Sequence, residues 1–331
     1  MTKNPPLISI LICNYNYEEY IEESLNSAIN QDYPNIEIII IDDGSVDTSL
    51  SIIKELIEKH PDITISLNAK VKNEGLCHAR NDAINAAAGE YFVFLDSDDT
   101  MPSDYVSNLY KTAIDKNADV VYGDVNFFGD NAGKSNEPDY DPQKLLLDNY
   151  INISTLVKSS ELKSHRFDTK LNRKSHEDYD FWVGLSLMGL KFVKANDVYL
   201  NYRIQSKSRN RNTQDLESRT LVFIDVWTYM MEKYRKRFSI SDSVVYAQIR
   251  YQVVRIGDEL NKLNKVVHEE LNPEIQKEGV HIRYQERLIN EYKSRSEKLE
   301  EKLKEVLTSR EYRVGHSLLS KARKVKKILR G

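Results

Sequence analysis

Short apolar segments alternate with amphipathic segments in the N-terminal third of the chain. Four apolar segments, rich in β-branched and aromatic residues, have the length of strands: 7–13, 36–41, 63–67 and 91–95. Three segments between them carry apolar side chains at helical spacing or are rich in alanine: 18–30, 48–59 and 76–88. Gly89 follows the third and suits the C′ position of a helix. This alternation predicts an α/β fold with a doubly wound, mostly parallel sheet and right-handed crossovers.

Two of the predicted strands run directly into acidic residues. The isoleucine-rich segment before Asp42 and Asp43 is typical of a parallel strand buried on both faces. The apolar segment before Asp96 ends in three carboxylates within four residues. Because ligands of open parallel sheets bind outside the carboxyl ends of the strands, we expect both acidic groups at one edge of the sheet.

The second acidic group is a candidate metal site. The small Ser97 lets Asp96 and Asp98 point the same way, as oxygen ligands of Mg²⁺ or Mn²⁺ must. Clustered carboxylates raise one another's pKa unless a cation or hydrogen-bond donors compensate. The alternative is a polar turn that leads into the next helix, with one of three residues as the N-cap: Thr100, Ser103 or Asp104.

Several short motifs follow one another along the first 205 positions. They are ISILICNYN at 8–16, IDDGS at 41–45, NEG at 73–75, ARN at 79–81, GEY at 89–91, LDSDD at 95–99, ED at 177–178 and YR at 202–203. In this order they resemble the motifs of family 2 glycosyltransferases with the GT-A fold, of the type that builds bacterial cell-surface glycans. The resemblance implies transfer of a hexosyl or related glycosyl group.

The resemblance also implies roles on the donor side, with a nucleotide-diphosphate sugar, most often a UDP-sugar, as the donor. Asp43 corresponds to the acid that accepts a hydrogen bond from the base, Asp42 lies beside it, and Tyr15 is near enough to stack on that base. Asp96 corresponds to the acid that faces the ribose or a metal-bound water. Asp98 corresponds to the direct metal ligand.

A divalent metal, Mn²⁺ or Mg²⁺, would neutralise the charge that develops on the diphosphate leaving group. By the same resemblance, Arg80 adds a donor near the nucleotide; a surface ion pair is the alternative. Two positions depart from the family pattern: Cys13 stands where proline is common, and Gln205 stands where many relatives have a histidine. Either metal dependence is weaker here, or Gln205 or Lys207 replaces the histidine contact.

Glu177 and Asp178 lie between a polar stretch and an apolar segment predicted to be helical. Asp178 resembles the family's general base, which removes the acceptor proton during in-line attack on the anomeric carbon and so inverts its configuration. The alternative is that Glu177 or Asp178 caps the helix. The resemblance places Glu177, Trp182 and Arg203 on the acceptor side, whereas Trp182 also fits a core position.

Composition narrows the class of protein. The chain of 331 residues suits a catalytic domain with an appendage. A net charge of −4, without a basic motif interleaved with aromatics in the catalytic half, argues against nucleic acid as a partner. Two cysteines offer neither a zinc spacing nor a disulfide framework. Without a signal peptide or a membrane-spanning apolar run, we expect a cytoplasmic enzyme.

The pattern changes after residue 212, and we expect three regions: 1–212 as the catalytic domain, 213–280 as a helical region, and 281–331 as a heptad-like helix with a basic tail. In the segment 282–307, apolar positions recur with heptad spacing but imperfectly. A coiled coil that forms a homo-oligomer, a helix docked on its own protein and a solvated single helix all fit this pattern.

The segment 309–331 is basic and amphipathic. It holds eight lysine or arginine residues and one acid between 310 and 330. Such a segment fits peripheral contact with the anionic inner face of the cell membrane, which agrees with a lipid-linked glycan acceptor. A disordered solubilising tail is the alternative.

Two other function classes are compared with this interpretation. A nucleotidyltransferase would need a glycine-rich, basic phosphate loop after the first strand, and the segment 13–19 has neither glycine nor a cation. A catalytically weak or inactive scaffold in a glycan-assembly complex has no chemical need for Asp43, Asp96, Asp98 and Asp178 on one edge.

Overall fold

A computed structural model describes residues 5–205, apart from 147 and 173, together with isolated helical positions between 222 and 304. The chain divides into two compact units, Met1–Asn212 and Thr213–Gly331. Each unit is described by itself below.

The first unit contains strands and helices in alternation up to residue 116. The strands are β1 Ile8–Asn14, β2 Ile36–Asp42, β3 Thr64–Ala69, β4 Tyr91–Asp96, β5 Val120–Gly129, β6 Gly133–Ser135, β7 Leu156–Lys158 and β8 Phe192–Ile204. The α-helices are α1 Ile21–Ile29, α2 Ser49–Lys59, α3 Leu76–Ala86, α4 Tyr105–Lys116, α5 Pro142–Leu145 and α6 Glu177–Leu187.

One sheet joins the eight strands of the described residues. Its order is β3-β2-β1-β4-β7-β5-β6, and β8 pairs with β5. The pairs β1–β2, β1–β4, β2–β3 and β5–β8 are parallel. The pairs β4–β7, β5–β7 and β5–β6 are antiparallel. The predicted α/β fold with a mostly parallel sheet is therefore confirmed, and the antiparallel pairs mark its second half.

The core lies on both faces of the central strands. Ile38, Ile39, Ile40 and Ile41 on β2 are all buried, as the continuous isoleucine run predicts for a parallel strand. Helices α1, α2 and α4 add their apolar sides to one cluster with β1, β2 and β4. This packing fixes where the three central strands end, and the acidic residues lie at the ends of two of them, β2 and β4.

One predicted helix end differs in the structure, and one predicted helix start agrees in position but not in its capping contact. Helix α3 ends at Ala86, so Gly89 is not its C′ residue. A Cβ atom at Gly89 would lie 2.5 Å from Ser9 Oγ, which shows that glycine is needed here for a close approach to β1. Helix α4 does begin after Asp104, but the Asp104 side chain makes no capping hydrogen bond.

The second unit is described at isolated positions only. Val226, Trp227, Met230 and Tyr234 are helical and buried, with the spacing of one helix face. The predicted heptad seam at 282–307 lies outside the described residues, apart from four isolated helical positions, and the basic segment 309–331 lies outside them entirely. Within the described residues, no helix is both long and apolar enough to cross a bilayer.

Candidate active site

The candidate site lies at the carboxyl ends of β1, β2 and β4. The parallel register aligns Asn14 with Asp42 and Cys13 with Asp96, so β1 ends between the two acidic groups. Burial raises the pKa of the Cys13 thiol to about 12, which keeps it neutral between these acids.

Asp42 shapes the turn after β2. Its carboxylate is buried and accepts hydrogen bonds from Asn14 Nδ2 at 2.8 Å and from Ser45 N at 3.0 Å and Oγ at 2.6 Å. Gly44 completes the turn with a φ of +77°, and a Cβ there would lie 2.6 Å from the Lys72 carbonyl carbon. Asp42 therefore holds the turn that presents Asp43.

Asp43 faces the N-terminus of α3. Its two carboxylate oxygens accept hydrogen bonds from Glu74 N at 3.1 Å and from Gly75 N at 2.7 Å. Lys70 Nζ lies 3.4 Å from Asp43 Oδ1. A carboxylate at a helix N-terminus is stabilised by the unsatisfied N–H groups there, so Asp43 is held in one orientation.

Lys70 is a site residue that the sequence motifs do not mark. Besides Asp43, its Nζ lies 2.6 Å from Asp82 and 3.2 Å from Glu74. Burial lowers the pKa of Lys70, but the hydrogen bonds to these carboxylates outweigh that effect and raise it. An open cavity of about 400 Å³, lined by 69–72 and Glu74, adjoins this lysine. Half-buried Tyr15 follows β1, at the same sheet edge.

Arg80 connects the acidic residues at the end of β4 with those at the start of α6. Its Nη2 lies 3.1 Å from Asp96 Oδ1 and its Nη1 lies 2.8 Å from Glu177 Oε1. The guanidinium is only 3 % exposed and lies against the rings of Phe94 and Phe167, at 5.8 and 5.3 Å from their centroids. Arg80 thus forms a buried ion-pair bridge from β4 to α6, rather than a surface ion pair.

Arg203 and Gln205 hold the loop that follows β4. Arg203 donates from its backbone N to Asp99 Oδ1 and from Nε to the Asp98 carbonyl, both at 2.8 Å. It also pairs with Glu23 on α1. Gln205 donates from Nε2 to Asp98 Oδ2 at 2.9 Å. Arg203 therefore helps to hold the loop at 98–99 in place, and its location on the acceptor side stays a prediction.

The acidic loop concentrates negative charge. Burial, and then the charges of Asp98 and Asp96, raise the pKa of Asp99 well above its usual value. Asp99 Oδ2 is buried and has no hydrogen-bond partner among the described residues. A cation at Asp96 and Asp98 would relieve this charge, and hard carboxylate oxygens are the ligands that Mg²⁺ and Mn²⁺ prefer.

The described part of the chain does not by itself supply a complete metal cage. Among the described residues, no three or more His, Cys, Asp or Glu side chains are grouped to hold a metal ion. This matches a site in which one or two carboxylates share the ion with phosphate oxygens of a substrate. Asp96 and Asp98 fit such a divalent metal, and Asp96 is 34 % exposed.

The second pair of carboxylates begins α6. His176 and Ser175 before it both have positive φ angles, 61° and 67°, which turn the chain sharply into the helix. Asp178 Oδ1 accepts from Tyr179 N at 2.8 Å and Asp178 Oδ2 accepts from Asn149 Nδ2 at 3.1 Å. His176 is the N-cap residue and its side chain makes no capping hydrogen bond.

Glu177 and Asp178 differ in their partners. Glu177 is ion-paired with Arg80, whereas Asp178 is held by two neutral donors. Burial raises the pKa of both carboxyls, and Arg80 opposes that rise in each. Trp182, one helical turn further, is fully buried and packs edge-on against Phe181, so it lies in the core and presents no surface to an acceptor.

Long-range contacts at this site were not predicted from the sequence. Strand ends followed by acids predict the location of Asp43, Asp96 and Asp98, because sheet topology determines it. The contacts Lys70–Asp43, Asn149–Asp178 and Gln205–Asp98 join distant segments. The sequence around a half-buried amide or lysine in a loop does not indicate which distant residue its side chain will contact.

Comparison with known proteins decides the family. The family model for glycosyl transferase family 2 matches residues 9–169. An uncharacterized glycosyltransferase of Haemophilus influenzae is 33% identical over 250 residues, which cover 73% of this chain and 94% of that protein. The chain belongs to glycosyl transferase family 2. It is therefore an enzyme of the transferase class.

Solved structures similar to this glycosyltransferase share its fold. TarS 1-349 of S. aureus in complex with UDP-GlcNAc has a TM-score of 0.56 at 18% identity, covering 84% of this chain and 78% of that one. The mannosyltransferase PcManGT of Pyrobaculum calidifontis, in complex with GDP-Man and Mn²⁺, has a TM-score of 0.55 at 18% identity, covering 89% and 85%. At such identities the likeness shows the fold alone.

Proposed function

We propose that the chain is an inverting, metal-assisted glycosyltransferase that moves a sugar from a nucleotide-diphosphate donor, with UDP-sugar as the leading candidate, to a hydroxyl of a glycan acceptor. The observation that carries the proposal is the Arg80 bridge, which joins Asp96 at the donor side to Glu177 beside Asp178. The carboxylates at the end of β4 and at the start of α6 are thereby connected in a family 2 enzyme.

The donor is proposed to lie along the ends of β1, β2 and β4. Tyr15 would stack on the base, Asp43 would accept its N–H, and Asp96 would face the ribose. Asp42 acts on the nucleotide through the turn that it holds. The UDP-GlcNAc complex of S. aureus TarS, which has the same fold, supports a uridine nucleotide.

A divalent ion, Mn²⁺ or Mg²⁺, is proposed to be held by Asp98, with Asp96 beside it and the diphosphate completing the shell. When bound, it supplies positive charge to the leaving group. The charge accumulated on the 96–99 loop supports this assignment, as does the Mn²⁺ in the similar mannosyltransferase. Gln205 keeps one oxygen of Asp98 engaged, in the place of the histidine of many relatives.

Asp178 is proposed as the general base. Glu177 is ion-paired with Arg80, whereas the described residues hold Asp178 by two neutral donors. Burial raises the pKa of Asp178, which brings a base closer to neutral pH. The acceptor hydroxyl oxygen forms a bond to the anomeric carbon as the bond to the diphosphate breaks. Its proton passes to Asp178, and one displacement inverts the configuration.

The acceptor is proposed to be a hydroxyl of a surface polysaccharide or a lipid-linked glycan. We also propose that the segment 309–331 contacts the inner membrane face and that the segment 282–307 forms a homo-oligomer. Both proposals rest on the charge and heptad patterns of the sequence.

A thermal-shift screen tests the donor proposal. The purified protein is heated with UDP, GDP, CDP or dTDP, each with and without Mn²⁺, and Asp98→Ala is measured in parallel. A ligand that binds only the folded state raises the melting temperature, so we expect a metal-dependent rise with UDP that Asp98→Ala loses. No rise with any nucleotide would overturn the proposal and favour a non-catalytic scaffold.

A further inference from the structure

We propose that Asn149 is a positioning residue for the Asp178 base, holding its carboxylate from outside α6 and stabilising its charged form. The proposal rests on the proposed function, in which Asp178 takes the acceptor proton. Asn149 lies in the segment that follows α5, in none of the motifs that mark the family. Its Nδ2 donates to Asp178 Oδ2 at 3.1 Å.

The two oxygens of Asp178 are held by donors from different elements. Tyr179 N, on the same helix, donates to Oδ1 at 2.8 Å, and Asn149 donates to Oδ2. A carboxylate held at one oxygen alone is free to rotate about its terminal torsion, which has a broad energy minimum. The contact with Asn149 removes that freedom and sets the direction in which the base accepts a proton.

The segment around Asn149 is anchored to the sheet. Tyr150 packs edge-on against Tyr122 of β5, with ring centroids 6.1 Å apart. Asn152 donates from Nδ2 to the Gly123 carbonyl, also on β5, at 3.1 Å. Asn149 is therefore carried by a fixed part of the fold, as a group that positions a base must be.

The charge around Asp178 explains why a neutral donor suits this place. The charged and titratable groups that act on it are Arg80 from α3, Asp96 from β4, Glu177 from its own helix and Tyr202 from β8. The single cation of this set is already bridged to two carboxylates. The Asn149 amide stabilises the Asp178 anion without adding charge that would compete for Arg80.

The carbonyl oxygen of the Asn149 side chain does not contribute to stability. Its Oδ1 is buried and has no hydrogen-bond partner among the described residues. A buried acceptor without a partner costs free energy, so an amide at this position is unfavourable for folding unless its donor end has a role. The donor end contacts Asp178, and we assign the role there.

The expected effect is a change in the titration of Asp178. A hydrogen bond to the charged form lowers the pKa of a carboxyl, so removing the Asn149 donor raises it. A donor to a charged group in such a site corresponds to about one pKa unit. A purely structural role for Asn149 would lower stability without moving this titration.

The experiment follows the carboxyl carbons of aspartate by ¹³C NMR in the full-length protein without ligand. The Asp178 signal is assigned by its loss in Asp178→Asn. Two variants remove the donor, Asn149→Ala and the nearly isosteric Asn149→Leu, and either one suffices if the other does not fold. Asn108→Ala is the matched control, because its amide also donates to an aspartate carboxylate, Asp104 Oδ2 at 2.9 Å, but on α4, outside the segment that carries Asn149.

A second readout links the titration to turnover. UDP release from UDP-N-acetylglucosamine, or GDP release from GDP-mannose, is measured with Mn²⁺ from pH 5 to 9. In the Asn149 variants we expect the acid limb of kcat to move upward by about one pH unit, with an unchanged KM for the donor. Asn108→Ala is expected to leave both the limb and the Asp178 signal in place.

The outcomes separate this proposal from the proposed function. An Asp178 signal that titrates identically in the Asn149 variants and the parent overturns the positioning role. The positioning role is also overturned if Asp178→Asn is inactive and the Asn149 variants shift the Asp178 signal but leave the acid limb of kcat unchanged. Full turnover by Asp178→Asn would instead overturn the proposed base and, with it, any role for Asn149 in positioning one.

Discussion

Gln205 donates a hydrogen bond from Nε2 to Asp98 Oδ2 at 2.9 Å. The residue that directly follows β8 therefore holds a proposed metal ligand. Partners that orient a metal ligand contribute strongly to metal affinity, although they do not touch the ion. Gln205 thus stands in for the histidine of many relatives by an indirect contact.

Gln205→Ala is expected to weaken Mn²⁺ binding in the presence of UDP by about ten-fold, because Asp98 loses its orienting donor. Electron paramagnetic resonance of free Mn²⁺ gives the dissociation constant. Asn126→Ala is the control, since Asn126 makes a similar amide contact with Asn201 at 3.0 Å on neighbouring strands. Equal losses in both variants would show a general effect of packing.

Arg80→Met is expected to lower the free energy of unfolding by about 2–4 kcal/mol, because it leaves Glu177 buried and unpaired and removes a partner of Asp96. Urea unfolding measures the change. Glu55→Ala breaks the exposed pair of Lys59 and Glu55 on α2 and is expected to have no measurable effect. Similar losses for both variants would contradict a buried bridge.

Gly44→Ala separates a steric effect from a backbone effect. Gly44 and Gly189 both have positive φ, 77° and 84°, but only a Cβ at Gly44 would collide with backbone, at Lys72. Gly189→Ala is expected to cost about 1 kcal/mol and Gly44→Ala about 2–4 kcal/mol. Nucleotide binding should weaken in Gly44→Ala alone, because its turn presents Asp43.

Asp178→Asn is expected to stabilise the protein at neutral pH. Burial raises the folded-state pKa of Asp178 above its unfolded value, so the folded state binds the proton more tightly. The stability contributed by Asp178 is full below the unfolded pKa, about 3.9, and is lost as pH rises through the raised folded pKa. An asparagine at this position stays neutral, so the variant does not lose this contribution to the free energy of unfolding as pH rises.

Chemical denaturation in EDTA from pH 3.5 to 8 tests this pH dependence. The difference in free energy of unfolding between Asp178→Asn and the parent should be small at the acid end and should grow in favour of the variant with rising pH. A difference that is constant with pH would show that the Asp178 carboxyl has the same pKa in both states.

Local sequence patterns predict part of the site, and long-range contacts determine the rest. The apolar runs before Asp42 and before Asp96 predict two strand ends at one edge of the sheet, because side-chain periodicity and crossover handedness are local rules. In the structure these strands lie on either side of β1. The Arg80–Glu177 bond joins residues 97 apart, and no local pattern specifies such a pairing. Gly89 shows the same limit: its sequence context suggests a helix end, whereas its need for glycine comes from the close approach of Ser9 on β1.

The nucleotide-release assay with parent and Asp178→Asn proteins tests the central claim most directly. Both are given UDP-N-acetylglucosamine or GDP-mannose with Mn²⁺, and binding of UDP or GDP is measured on the same samples by thermal shift. The account predicts that the variant binds nucleotide as the parent does but loses turnover by at least about 100-fold, since a general base contributes that much. Turnover at the parental rate with intact binding would contradict it.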